Sequence, residues 1–153
     1  MGRLTMTGIY MAGRKVFIDT GAWIALALRH DEYHETAKAV FKAMVACRVV
    51  QVTSNLIISE TYTFIRYNVN YHTALRFLES IKKAENMNFL QVVYSTPEIE
   101  REALRLIKKY CDQTISYVDA VSFVILAQQP DIKDVFTFDS HFFLTSKNIL
   151  RAD

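Results

Sequence analysis

Apolar residues along the chain gather into short unbroken runs, separated by longer stretches in which they recur every three or four positions. Residues 15–19 (KVFID), 48–53 (RVVQVT), 88–94 (NFLQVVY) and Val135 to Phe138 are rich in β-branched and aromatic side chains and have the length of strands. Between them, residues 20–28 and 32–47 predict helices, and SNLIISETYTFIRY carries the second strand on into another. Residues 70–84 set Ala74, Phe77, Leu78 and Ile81 on one helical face. The best punctuated helix follows next. Either Ser95 and Glu98 form its capping box, or Thr96 caps it with Pro97 in the first turn, and Ile99, Ala103, Leu106, Ile107 and Tyr110 make its buried stripe. Residues 117–129 predict a further helix that Pro130 helps to end, and Asn148 to Arg151 are a candidate fifth strand. Strands this apolar, alternating with helices, predict a mainly parallel sheet of four to five strands covered on both faces, a three-layer α/β/α sandwich.

Composition narrows the field. A chain of 153 residues that is 51% hydrophobic and 22% charged fits one globular domain, and no apolar run is long enough for a membrane span. Cys47 and Cys111 have no paired spacing, so they read as two buried free thiols of a protein in a reducing cytoplasm. The net charge of +2 neither demands nor excludes nucleic acid. No glycine follows Gly21, which removes the glycine-rich loops that cradle nucleotides. Residues 1–14, which hold three of the four glycines and show no period, read as a mobile arm or a cloning remnant, with the folded domain in 15–153.

The candidate chemistry lies in acidic residues at comparable places. Asp19 ends the first strand, Asp139 follows the fourth by one residue, Glu60 lies in the helix leaving the second, and Asp119 interrupts an apolar helix in which a carboxylate should be largely buried. Each has a plain alternative. Asp19 and Asp139 can cap a helix or turn, Asp119 can form a capping box with Ser116, and Glu60 can be a partly exposed helical residue. Together, the predicted sheet brings them toward the carboxyl edge, where open α/β sheets bind ligands. Two carboxylates about 5 Å apart repel by roughly 3 kcal/mol at an effective dielectric near 20. A cluster of four then requires either raised pKa values or a divalent cation. All-oxygen ligands suit Mg²⁺ or Mn²⁺, and such a cation suits phosphodiester hydrolysis.

The segments VFIDTGAW, TSNLIISETYTFIR, ISYVDAVSFVILAQ and DVFTFDSHFF, in this order, resemble the PIN domain family, and in particular the VapC-type toxins of bacterial and archaeal toxin–antitoxin pairs. The resemblance spans roughly residues 15 to 150. It implies that Asp19, Glu60, Asp119 and Asp139 are the metal-binding acidic quartet of a ribonuclease, with Thr20 and Thr137 in support. Products would carry a 5′ phosphate and a 3′ hydroxyl. It further implies a homodimer and a cognate antitoxin, for which an apolar groove built from helices near 32 to 67 is the expected dock. Gly21 stands where the family often has serine.

Other candidates carry less. His30 and His34 have nearly metalloprotease spacing, yet Asp31 replaces the glutamate and no third ligand is evident. His141 reads as structural or as a substrate contact, and Asp112 as a turn residue. Arg101, Arg105, Lys108 and Lys109 form a basic stripe, while Arg66 shares a helix with Glu60 and is the better candidate phosphate contact. Trp23 and Tyr62 are core residues or base-stacking platforms. Two readings compete with the nuclease: a non-catalytic PIN-like module whose acidic cleft holds a partner protein, and a receiver domain. The second wants an acidic pair after the first strand, where only Asp19 followed by Thr20 is present.

Overall fold

The computed structural model describes residues 13–150, so most of the expected N-terminal arm lies outside the described residues. Five strands, β1 (Lys15–Ile18), β2 (Val50–Ser54), β3 (Leu90–Val93), β4 (Ile132–Phe136) and β5 (Asn148–Leu150), pair in the order β3-β2-β1-β4-β5. Every pairing is parallel. Six helices flank the sheet: α1 (Thr20–Ala27), α2 (His34–Ala46), α3 (Asn55–Asn68), α4 (Tyr71–Asn86), α5 (Pro97–Lys109) and α6 (Tyr117–Gln128), with a 3-10 turn at Ser140–Leu144. This is the expected α/β sandwich.

The central strands are apolar because helices cover both faces. Val16, Phe17 and Ile18 of β1 and Ile132, Val135 and Phe136 of β4 are wholly buried, each large side chain contributing about 1.5–3 kcal/mol. Helix α6 shows why its sequence lacks an amphipathic period. Every residue from Ala120 to Leu126 is buried, so it is enclosed on all sides and opens to solvent only at its ends. Thr96, not Ser95, caps α5, accepting from the Ile99 N–H at 3.3 Å, with Pro97 as the first helical residue. Ser95 donates to Glu100 instead.

Two strand boundaries differ from expectation. The second strand begins at Val50 because Arg48 adopts φ 53°, a left-handed closure of α2 in which the Val49 N–H returns to the Met44 carbonyl. No glycine announces that turn. The fourth strand runs from Ile132 to Phe136, three residues earlier than its apolar pattern suggested, because a buried aspartate belongs to it. Asp134, 4% exposed, is paired with Arg14 at 3.0 Å and accepts from the Asn148 amide at 3.2 Å. Arg14 is thereby tied to the sheet, and its carbonyl also accepts from the Val50 N–H. Of the two thiols, Cys47 is buried and Cys111 is exposed, in the turn after α5. No helix among the described residues is long and apolar enough to cross a membrane.

The start of α1 is secured from beneath. The Trp23 indole N–H donates to Thr53 Oγ1 at 3.2 Å, and Thr53 donates in turn to the Ile18 carbonyl at 3.1 Å. Trp23 is therefore a core residue, set edge-on to Phe77, and is not a base-stacking platform. Thr53→Val removes both bonds at nearly constant volume and strands two buried polar groups. It should cost about 1–3 kcal/mol in urea unfolding, while Thr53→Ser, which keeps the hydroxyl, should cost markedly less.

Candidate active site

Asp19 follows β1 directly, and its backbone N–H donates to the Phe136 carbonyl at 3.1 Å, carrying the β1–β4 pairing one step beyond the strands. The chain leaves β1 toward β2 on one side and returns as β4 on the other, so Asp19 stands at the crevice where the strand order reverses. The residue is 5% exposed. Although it occupies the N-cap position of α1, its side chain makes no capping bond to that helix. Its Oδ2 accepts instead from the buried Thr137 hydroxyl at 2.9 Å. The same Thr137 oxygen accepts from the Asp139 N–H at 3.0 Å. One hydroxyl thus fixes two acidic residues that the chain separates widely.

The other carboxylates are held as locally. Asp119 and Ser116 form the anticipated capping box, with the Ser116 N–H donating to Oδ2 at 3.0 Å and the Asp119 N–H to Ser116 Oγ at 3.0 Å. Asp119 is half-buried rather than largely buried, because it lies at the open first turn of α6. Asp139 caps the 3-10 turn, its Oδ1 accepting from both the His141 N–H and His141 Nδ1 at 2.8 Å. Capping and clustering are therefore compatible at these two positions.

Electrostatics ties the three together. Burial pushes the Asp19 carboxyl from 3.8 to about 7, against the Thr137 hydroxyl and the Thr20 N–H, which pull it down; the charges of Asp119 and Asp139 push it further up. Asp119 is raised as well, first by burial and then by Asp139, with the Ser116 groups and His141 opposing. Neither Lys nor Arg figures among the leading influences on either group. Asp134 has an arginine of its own; among the described residues these carboxylates have none.

Glu60 behaves differently. It is exposed on α3 and does not figure among the leading influences on Asp19 or Asp119. Its neighbour Ile57 is buried but Phe64 is 40% exposed, so the face that carries Glu60 is largely open. Among the described residues, no three His, Cys, Asp or Glu side chains are gathered closely enough to form a finished metal-ligand set. The donor chemistry nevertheless fits a hard dication. Carboxylate oxygens in mutual repulsion stand at one crevice, and the Thr20 hydroxyl beside Asp19 is buried without a hydrogen-bond partner.

The remaining candidates sort readily. Thr137 is wholly buried, at the junction of Asp19 and Asp139. Arg66 is exposed in the last turn of α3, its guanidinium 5.8 Å from the Tyr71 ring centre. His34 Nδ1 bonds the Ala25 carbonyl at 2.7 Å while His30 is exposed, and no third ligand joins them. Asp112 is an exposed turn residue, Tyr62 packs half-buried against the core, and the basic stripe of α5 is exposed, with Arg105 paired to Glu102. A Cβ at Gly21 would meet open space. A groove of about 1210 Å³, lined by Trp23, Leu26, Phe41, Val45, Phe77 and Phe89 among others, lies between α1, α2 and α4 rather than between α2 and α3. None of the four acidic candidates lines it. Two features escaped the sequence reading: the tie of His141 to Asp139, legible in retrospect as an aspartate turn with a donor two residues on, and the stacking of Tyr33 on Phe138 with ring centres 4.4 Å apart.

The PIN domain family model matches residues 16–148. The chain is 26% identical over 127 residues to the 23S rRNA-specific endonuclease VapC20 of Mycobacterium tuberculosis, a match covering 83% of this chain and 91% of that protein. It is 30% identical over 129 residues to a VapC ribonuclease of Archaeoglobus fulgidus, covering 83% and 78% respectively. The crystal structure of Mycobacterium tuberculosis VapC20, described as a Sarcin-Ricin loop cleaving toxin, aligns with a TM-score of 0.77 at 25% identity, over 90% of this chain and 99% of that one. A chain of the FitAB complex with a DNA fragment shares the fold, with a TM-score of 0.63 at 15% identity over 88% and 93% of the two chains. An acidic crevice on a five-stranded parallel sheet, a family match across nearly the whole described chain and relatives of one type lead to a single assignment: the chain belongs to the PIN domain family, among its VapC-type members.

Proposed function

We propose that this chain is an endoribonuclease dependent on Mg²⁺ or Mn²⁺, and the toxin of a toxin–antitoxin pair acting in the cytoplasm. The observation that carries the reading is the set Asp19, Asp119 and Asp139. They stand at the β1–β4 crevice, where Thr137 ties Asp19 to the Asp139 backbone and the charges of Asp119 and Asp139 push the buried Asp19 carboxyl further up, with no Lys or Arg among the leading influences on Asp19 or Asp119. The three would hold the cation, and Glu60 would join them from α3. When bound, the dication supplies Lewis-acid polarisation of a phosphodiester and a water acidified toward neutral pH.

The chain's own residues supply orientation. Thr137 aims Asp19 through Oδ2 and fixes the backbone at Asp139, while Ser116 fixes Asp119 from both of its polar groups. Thr20 offers an unpaired hydroxyl beside Asp19. Arg66, exposed and on the helix of Glu60, would contact substrate phosphate beyond the crevice. The groove between α1, α2 and α4 suits an amphipathic helix of the cognate antitoxin. Val45 and Phe89 lie open in it at 53% and 50% exposure, and Arg29, Arg48 and Arg76 line the same groove to receive acidic side chains. We expect a homodimer as well; light scattering that returned the 17.7 kDa of one chain would remove it.

Cleavage is tested with a pool of structured and unstructured RNA, with and without chelator, followed by mapping of the ends. Asp19→Asn and Asp119→Asn should each lower the cleavage rate about 100-fold or more in a folded protein, since even the outer partners of metal ligands are worth about 10- to 100-fold. Full activity in either variant, or activity that survives the chelator, overturns the proposal and leaves the non-catalytic binding module.

The raised carboxyl of Asp19 also makes a stability prediction. Its folded value of about 7 lies above the ordinary 3.8, so the folded state binds the proton more tightly than the unfolded chain does. The contribution is complete below about pH 4 and is lost as pH rises through 7. Between pH 5 and pH 8 the cation-free protein should lose about 2–3 kcal/mol more than Asp19→Asn does, as read by urea unfolding. Mn²⁺ should narrow that difference and raise the melting temperature, and the rise should vanish in Asp119→Asn. An equal pH dependence in the two proteins would contradict the burial of an ionising Asp19.

A further inference from the structure

Within the reading of a cation held by carboxylates, His141 has no assigned task, yet it makes the shortest side-chain contact at the crevice. Its Nδ1 lies 2.8 Å from Asp139 Oδ1, the same oxygen that accepts the His141 backbone N–H at 2.8 Å. A carboxylate can only accept here, so Nδ1 must carry the hydrogen, and that donor is present whether the ring is neutral or charged. Oδ1 therefore holds two donors, while Oδ2 has no hydrogen bond among the described residues. We infer that His141 is a positioning residue for Asp139, saturating Oδ1 so that Oδ2 is the oxygen presented to a cation.

Three observations carry this beyond a packing role. The ring is half-buried, with 28% of its side chain exposed against 31% for Asp139, so the contact is neither enclosed in the core nor loose in solvent. The backbone bond alone holds Oδ1 through a single donor. A second donor converging on the same oxygen tightens that hold. Finally, the turn does not need His141 for its anchorage. Phe142 is wholly buried, meets Phe123 edge-on with ring centres 5.1 Å apart, and its carbonyl accepts the Thr145 hydroxyl.

The geometry specifies its own control. An asparagine amide can place a donor where Nδ1 stands, whereas the longer glutamine places its amide near the position of Nε2. Phenylalanine keeps the ring and loses both. Mn²⁺ affinity of the RNA-free protein would be measured by calorimetry, with the melting temperature of the cation-free form as the control for folding. His141→Phe and His141→Gln should each weaken Mn²⁺ binding by about 10-fold or more. His141→Asn should bind within about 3-fold of the unaltered protein, a smaller effect than outer-partner loss. A Phe or Gln variant that binds as tightly as the original, or an Asn variant that loses as much as Phe, overturns the inference, since a merely structural side chain would not separate Asn from Gln. If the unaltered protein binds no Mn²⁺, the cation reading itself fails and this inference falls with it.

Discussion

The buried hydroxyl of Thr137 is the group on which the acidic crevice depends. Its single proton goes to Asp19 and one of its lone pairs receives the Asp139 N–H, so its orientation is fully determined and it couples the end of β1 to the segment that follows β4. The coupling leaves Asp19 under-compensated. A carboxylate that is 5% exposed, with a hydroxyl and one backbone N–H as its leading donors, keeps its proton to about pH 7. The fold holds an unfavourable charge in place here, and such a cost persists only where the surrounding structure over-determines it, as buried β1 and β4 do.

Asp134 supplies the internal contrast. It lies in β4, only a few residues before Asp139, and is as buried as Asp19 at 4% exposure. Arg14 neutralises it from 3.0 Å and the Asn148 amide donates to its Oδ1, so that it joins three segments of the sheet at the end away from the crevice. Two buried aspartates of one domain thus follow opposite rules. The one paired with a cation contributes to the framework, and the one beside other carboxylates holds its proton toward neutral pH.

That contrast also explains what the sequence could and could not disclose. The run VFI after Lys15, the helix from Ala120 that is apolar but for Ser122, and the Ser116–Asp119 spacing were legible because each is a local pattern with one physical solution. The start of β2 was not, since Arg48 takes a left-handed conformation that glycine usually marks. Nor was the start of β4, because pairing between Arg14 and Asp134 spans most of the chain and turns an apparent polar interruption into a buried strand residue. At the crevice, positions were readable and orientations were not. Asp19 looked like a helix cap and makes no capping bond, while Asp119 looked deeply buried and sits at an open helix start. Glu60 was placed by the alternation of helix and strand, but that alternation carries no information on whether the exposed face of α3 turns toward the crevice.

The crevice and the groove meet in one short element. Asp19 immediately precedes α1, and Trp23, Leu26 and Ala27 of the same helix line the groove. Eight residues make a rod of about 12 Å, too short to bend appreciably. Trp23 adds a second tie, because its indole bonds Thr53, and Thr53 bonds the carbonyl of Ile18, the residue immediately before Asp19. An occupant of the groove therefore rests on a side chain two hydrogen bonds away from the backbone that carries the buried carboxylate of the crevice. With packing this dense and no hinge between them, the two ends of α1 are a single mechanical unit, and the groove cannot tilt that helix without carrying Asp19 along.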